Sequence, residues 1–187
     1  TGKLIIRNTL DDSDIELVCD DGSGGNTAYI TLDGSVTTTK FSKNTLYEDN
    51  VRAQFGTGAD ANIRHDGTDT YIGNSTGHFY IQQAADDKDL VFQCDDGSGG
   101  LASYITLDGS STIITVHKDI YALDNIKLRA GSDGDLQIYH SGTKGFIEND
   151  TGHLDIRNTA TNSDIIFQAD DGSGSFTTYF QVDGGSE

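Results

Sequence analysis

Proline, methionine and tryptophan are all missing from this 187-residue chain. At an average usage of about 5%, a chain of this length carries roughly nine prolines. Proline donates no hydrogen bond to a β ladder, so its absence leaves nearly continuous strand pairing open. Positive charge is scarce as well: 12 Lys and Arg face 30 Asp and Glu, a formal net charge of −18. That balance disfavours nucleic acid, whose backbone is held by Lys and Arg that displace counterions. It also disfavours adsorption to anionic lipid. No apolar run reaches the length of a membrane span, so no membrane insertion is expected. The excess of carboxylates reads first as solubility for an edge-rich β object. A surface that collects cations such as Ca²⁺ is the sharper alternative.

What is abundant is glycine, with 23 residues clustered among Asp, Ser, Asn and Thr, the residues of tight turns. The clusters are periodic. Residues 1–35 and 76–110 are identical at 20 of 35 positions without a gap, and 151–185 continue the pattern at the same offset of 75 residues. The stretches 36–75 and 111–150 also align, sharing Asp49/Asp124, Asn50/Asn125, Gly56/Gly131, Asp60/Asp135, Ile63/Ile138, His65/His140, Gly67/Gly142, Ile72/Ile147 and Asn74/Asn149. The chain is therefore about 2.5 copies of one unit: repeat unit 1 at 1–75, unit 2 at 76–150 and a partial unit 3 at 151–187. Such internal repetition marks stacked, quasi-one-dimensional architectures. The chain opens on Thr1-Gly2, a pair that recurs at the head of each later unit, and ends inside the pattern, so it reads as an excerpt of a longer polypeptide.

Inside the unit, Ile63, Ile72, Ile81 and Leu90 are nine residues apart, as are Ile138, Ile147, Ile156 and Ile165. Turn signals lie between them at Asp66-Gly67, Ser75-Thr76-Gly77 and Asp86-Asp87. Short strands at this spacing, with no sustained helical period, predict an all-β chain. Leu90, Phe92 and Cys94 fall on one face and Val91 and Gln93 on the other, with matching triplets at Ile15, Leu17, Cys19 and Ile165, Phe167, Ala169. Such narrow apolar strips, in a chain only 34% hydrophobic, do not close a core alone. Three chains pooling them along a common axis would, and interleaving would also remove free sheet edges. The expected fold is an elongated trimeric β fibre of short strands and tight turns.

These motifs resemble the repetitive shaft regions of bacteriophage tail fibres, those of marine phages and cyanophages above all. The resemblance is carried by Gly134-Asp135-Leu136-Gln137-Ile138-Tyr139-His140, Phe146-Ile147-Glu148-Asn149, Gly152-His153-Leu154-Asp155-Ile156-Arg157-Asn158, Asp164-Ile165-Ile166-Phe167-Gln168 and Asp170-Asp171-Gly172-Ser173-Gly174. Through the repeats it covers essentially the whole chain. It implies a structural, non-enzymatic component of the virion, an extracellular homotrimeric shaft of intertwined chains that supports host attachment. Its implied partners are itself, other tail or baseplate proteins, and host surface polysaccharide through a tip outside this segment. No trimerisation chaperone is recognisable, which places the segment upstream of any such tip. The alternative is a bacterial surface adhesin or extracellular filament, stiffened by calcium.

The sequence assigns no catalytic, cofactor-binding or metal-binding residue. Paired carboxylates at Asp20-Asp21, Asp95-Asp96 and Asp170-Asp171 invite a glycosidase reading, yet each pair recurs ahead of Gly-Ser-Gly in every unit, as turns do. Those loops match neither an EF-hand nor a calcium β-roll. Of the histidines His65, His78, His117, His140 and His153, two pairs are repeat equivalents, but no His-X-His occurs and Lys3 replaces His78 in the first unit. Cys19 and Cys94 are equivalent, with Ala169 in the third unit, and read as small apolar core residues. Tyr29, Tyr104 and Tyr179 recur once per unit and read as packing.

Overall fold

A computed structural model of the chain describes residues 2–185. Among them are fourteen strands and no helix, and therefore no helix long and apolar enough to cross a membrane. The residues divide into two units, one running to Gln82 and the other starting at Gln83. The first holds β1 (Ile15–Asp20), β2 (Asn26–Asp33), β3 (Thr38–Phe41), β4 (Ala53–Phe55), β5 (Ala61–His65) and β6 (Thr70–Asn74). The second holds β7 (Leu90–Asp95), β8 (Leu101–Asp108), β9 (Ile113–Val116), β10 (Leu128–Ala130), β11 (Leu136–His140), β12 (Gly145–Asn149), β13 (Ile165–Asp170) and β14 (Phe176–Val182).

The strands form five antiparallel sheets, each a meander of strands consecutive in sequence: β1-β2-β3, β4-β5-β6, β7-β8-β9, β10-β11-β12 and β13-β14. Local sequence explains the meanders. Between β1 and β2, Gly22 and Gly24 have φ of 84° and 89°, a region open to glycine at no steric cost. Between β2 and β3, the glycine is needed for a different reason. A Cβ on Gly34 would lie 2.6 Å from the carbonyl oxygen of Ser13, and Gly109 and Gly184 sit as tightly against the carbonyls of Lys88 and Ser163. Chain reversals before the first strands place Asp12, Asp87 and Asn162 at φ of 55°, 53° and 56°, the left-handed region that Asp and Asn tolerate best.

Register brings the apolar positions into rows that cross each sheet. Leu17, Ile30 and Phe41 are directly opposite one another in the first sheet, and Phe92, Ile105 and Val116 in the third. Ile63 pairs with Ile72, and Leu128, Ile138 and Ile147 form the corresponding row in the fourth sheet. The nine-residue rhythm is thus a cross-strand pair at 63/72 and at 138/147. Ile81 and Ile156, the next members of each series, fall outside the strands.

These rows are not covered. Within each unit, strands lie only against strands of their own sheet, and no hydrophobic residue among those described is buried. Cys19 and Cys94 are exposed, so the expectation of small core residues does not hold within the chain, because there is no second layer to bury them. Substituting Gly109→Ala should destabilise the third sheet by about 1–3 kcal/mol through overpacking, while Gly145→Ala, in open space, should change little; urea unfolding followed by circular dichroism measures the difference.

Candidate functional site

The acidic loops are the most regular polar feature of the chain. In the β1–β2 loop the Asp21 carboxylate accepts from the Ser23 amide at 2.8 Å, the Ser23 hydroxyl at 2.7 Å and the Gly25 amide at 3.1 Å. Asp96 repeats this with Ser98 and Gly100 at 2.7, 2.7 and 3.0 Å. Asp171 holds Ser173 at 2.8 and 2.6 Å, but the Ser175 amide lies at 3.4 Å. The reason is steric. A Cβ on Gly25 or Gly100 would meet the aspartate oxygen at 2.5 or 2.6 Å, and the third loop carries Ser175, whose real Cβ holds the carboxylate off. The hydroxyl donated by Ser23, Ser98 or Ser173 is the main cause that keeps Asp21, Asp96 and Asp171 below the ordinary aspartate pKa, with the loop amides adding to it. The neighbours Asp20, Asp95 and Asp170 cap the same loops through the amides of Gly22, Gly97 and Gly172. Both carboxylates of each pair are therefore turned onto their own turn.

The β2–β3 and β8–β9 turns use the same device. Asp33 accepts from the Ser35 amide and hydroxyl and the Val36 amide at 3.0, 2.7 and 3.2 Å, and also from Lys40. Lys40 is the first cause of its strongly lowered pKa. Asp108 accepts from Ser110 and Ser111 at 2.7–2.9 Å, and the Ser111 amide is the largest cause of its lowering. A second aspartate clamps each turn from the far side. Asp14, Asp89 and Asp164 accept from the amides of Gly34, Gly109 and Gly184 at 3.0, 3.1 and 2.9 Å. That clamp was not singled out from sequence, although its residues recur in all three units.

Each of two equivalent histidines faces an aspartate of its own unit. His65 Nδ1 lies 3.1 Å from Asp49 Oδ1 and 3.0 Å from the Gly67 amide, and His140 Nδ1 lies 2.8 Å from Asp124 and 3.1 Å from the Gly142 amide. Nδ1 accepts from the glycine amide when it carries no proton and donates to the aspartate when it does. The Asn50 and Asn125 amides donate to the carbonyls of His65 and His140 at 2.8 and 2.7 Å. Positions shared between the two sequence units thus form one corner that ties the chain before β4 or β10 to the end of β5 or β11. No group of three His, Cys, Asp or Glu side chains suited to a metal occurs among the described residues.

The repeated tyrosines also have a definite task. In each first strand pair the register slips by one, between Leu17/Val18, Phe92/Gln93 and Phe167/Gln168, and Tyr29, Tyr104 and Tyr179 are the residues left without a partner. Each is the extra residue of a β-bulge. Its hydroxyl donates to the backbone carbonyl of Asp20, Asp95 or Asp170 at 3.2, 3.2 and 3.4 Å, at the start of the acidic loop. Lys43 and Lys118 lie over the Tyr29 and Tyr104 rings at 6.0 and 5.7 Å, within cation–π range.

A polar network covers one face of the fourth sheet. Gln137 is buried, donates to Asp150 at 2.7 Å and accepts from Lys127. Lys127 stands 4.4 Å over the Tyr139 ring, which stacks on Phe146 at 4.7 Å. This face is self-satisfied, and the opposite face carries the uncovered row of Leu128, Ile138 and Ile147. No family model matches the chain, nor does any curated protein or solved structure.

Two outcomes are expected. The loop aspartates have folded-state pKa values below their ordinary 3.8, so their stabilisation is complete above that value and is lost as pH falls from it through the lowered values. Urea midpoints should hold steady near neutrality and fall below about pH 4, and Asp21→Asn/Asp96→Asn/Asp171→Asn should flatten that fall. Removing the bulge hydroxyl with Tyr104→Phe should cost about 0.5–1.5 kcal/mol, read in the same unfolding assay.

Proposed function

We propose that this chain is a structural segment of a viral tail fibre, a rigid homotrimeric shaft that supports attachment to the host surface. One observation carries the reading: every sheet presents an apolar cross-strand row, and no hydrophobic residue among those described is buried. Leu17, Phe41 and Ile147 are 54%, 59% and 64% exposed. Burial is worth about 25 cal/mol per Å² of apolar surface, and a chain that forgoes it in every sheet is built to obtain it from other chains. The 75-residue repetition supports a stack in which each unit meets the same surroundings. The resemblance of the repeat motifs to phage fibre shafts supplies the tail, with tail or baseplate proteins at one end and a receptor-binding tip, outside this segment, at the other.

The carboxylates support a structural role too. Those of the Asp-Asp pairs are taken up by their own turns, which leaves the loops as hairpin clamps. Sedimentation equilibrium of the chain should return the mass of three 20.0 kDa copies, and electron microscopy should show rods. Ile105→Glu, which places a charge in the middle of an apolar row, should dissociate the trimer. A monomer that stays monomeric at millimolar concentration rules the shaft out.

A further inference from the structure

Five stretches of the chain, 3–9, 43–47, 78–84, 118–122 and 153–159, make no backbone-to-backbone hydrogen bond among the described residues. Three of them, 3–9, 78–84 and 153–159, occupy the same place in each unit and run without a bend, a turn or a positive φ. A straight backbone of seven residues with its amides and carbonyls unpaired has the form of a strand that lacks a partner. The side chains agree. Leu4 and Ile6, Phe79 and Ile81, and Leu154 and Ile156 alternate as they would on one face of a strand, and all six are exposed. Ile6 already lines a small apolar groove with Ile15, Leu17, Ile30 and Leu32 of its own unit.

Charge favours a second copy as the partner. The stretches 3–9, 78–84 and 153–159 hold Lys3, Arg7 and Arg157 against Asp155, a net charge of +2 within a chain of −18, and 78–84 carries no Lys, Arg, Asp or Glu to oppose an acidic edge. The free outer edges of the sheets have the opposite sign. β1 is an edge strand with Asp11, Asp12, Asp14, Glu16, Asp20 and Asp21 in and around it and no Lys or Arg between residues 11 and 21. In and around β7 are Asp86, Asp87, Asp89, Asp95 and Asp96 with one cation, Lys88, and in and around β13 are Asp164, Asp170 and Asp171. These edge strands are six residues long, a match in length for the seven-residue stretches.

We infer that the unpaired stretches 3–9, 78–84 and 153–159 are intermolecular strands, each adding to the acidic outer edge of a β1-, β7- or β13-type strand in a second copy of this chain. The inference rests on the oligomeric shaft reading and gives it a mechanism, in which main-chain hydrogen bonds join the copies and the apolar rows close beneath them. It differs from simple pooling of apolar faces, which leaves these amides open to water.

Hydrogen–deuterium exchange of the chain, resolved to 78–84 and run across a dilution series with sedimentation in parallel, tests it. The expected result is protection of these amides of at least tenfold that appears with assembly and vanishes on dilution. Tyr80→Pro and Ile81→Pro, made separately, each remove a donor that no described backbone group uses, and since successive amides point to opposite edges, one of the two is a donor that a ladder would need. At least one of the two should weaken assembly at least tenfold while the circular dichroism of the dilute chain stays that of the parent, and full assembly of both variants overturns strand addition. Assembly with 78–84 exchanging at free-peptide rates overturns strand addition and leaves the trimeric shaft standing. Protection that is independent of concentration also overturns it, because the pairing is then within one chain. A chain that never assembles overturns both.

Discussion

Each strand in this protein finds its hydrogen-bond partner in the next strand of the sequence, and within each unit no sheet is laid over another. The remaining features follow from that constraint. A one-layer sheet has two wet faces, so its hydrophobic residues gain nothing from folding except their cross-strand neighbours. Cross-strand pairs contribute only about 0.2–1 kcal/mol each, which is small beside the conformational entropy of ordering the strands. Within a chain the turns add side-chain hydrogen bonds that the sheets alone do not have.

The aspartates serve that purpose. Asp21, Asp33, Asp96, Asp108 and Asp171 each accept several hydrogen bonds from one turn, while Asp14, Asp89 and Asp164 tie the following turn back to the strand entry. A carboxylate that satisfies two or three donors of a loop holds it in one conformation and so fixes the register of the flanking strands. The bulge tyrosines set the twist of the same hairpins and hold the loop from the strand side. The high negative charge is thus partly a by-product of turn chemistry. It also keeps isolated chains apart.

Much of this was legible in the sequence. The repeat, the all-β class and the turn role of the Asp-Asp-Gly-Ser loops rest on residue identity and short spacing, which local backbone physics converts directly into structure. The nine-residue rhythm was legible only in part: Ile63 and Ile72 do face each other, but Ile81 falls in an unpaired stretch. The spacing was the same; what differed was whether a neighbouring strand was within reach. As small apolar side chains Cys19 and Cys94 suit a core, yet a core needs two layers and each unit builds one, so within the chain both are exposed.

By itself the sequence determined where strands and turns form, because glycine, aspartate and serine at fixed spacings leave the backbone few alternatives, and it determined that the pattern recurs every 75 residues. Only the tertiary structure decided which residues face which. It made the tyrosines bulges, set Asp14 against Gly34 across twenty residues, paired each corner histidine with an aspartate, and left the apolar rows uncovered and the backbone of 3–9, 78–84 and 153–159 without a strand partner. Those outcomes depend on register and on distance through space, which a one-residue slip in one ladder would change without altering a single letter of the sequence.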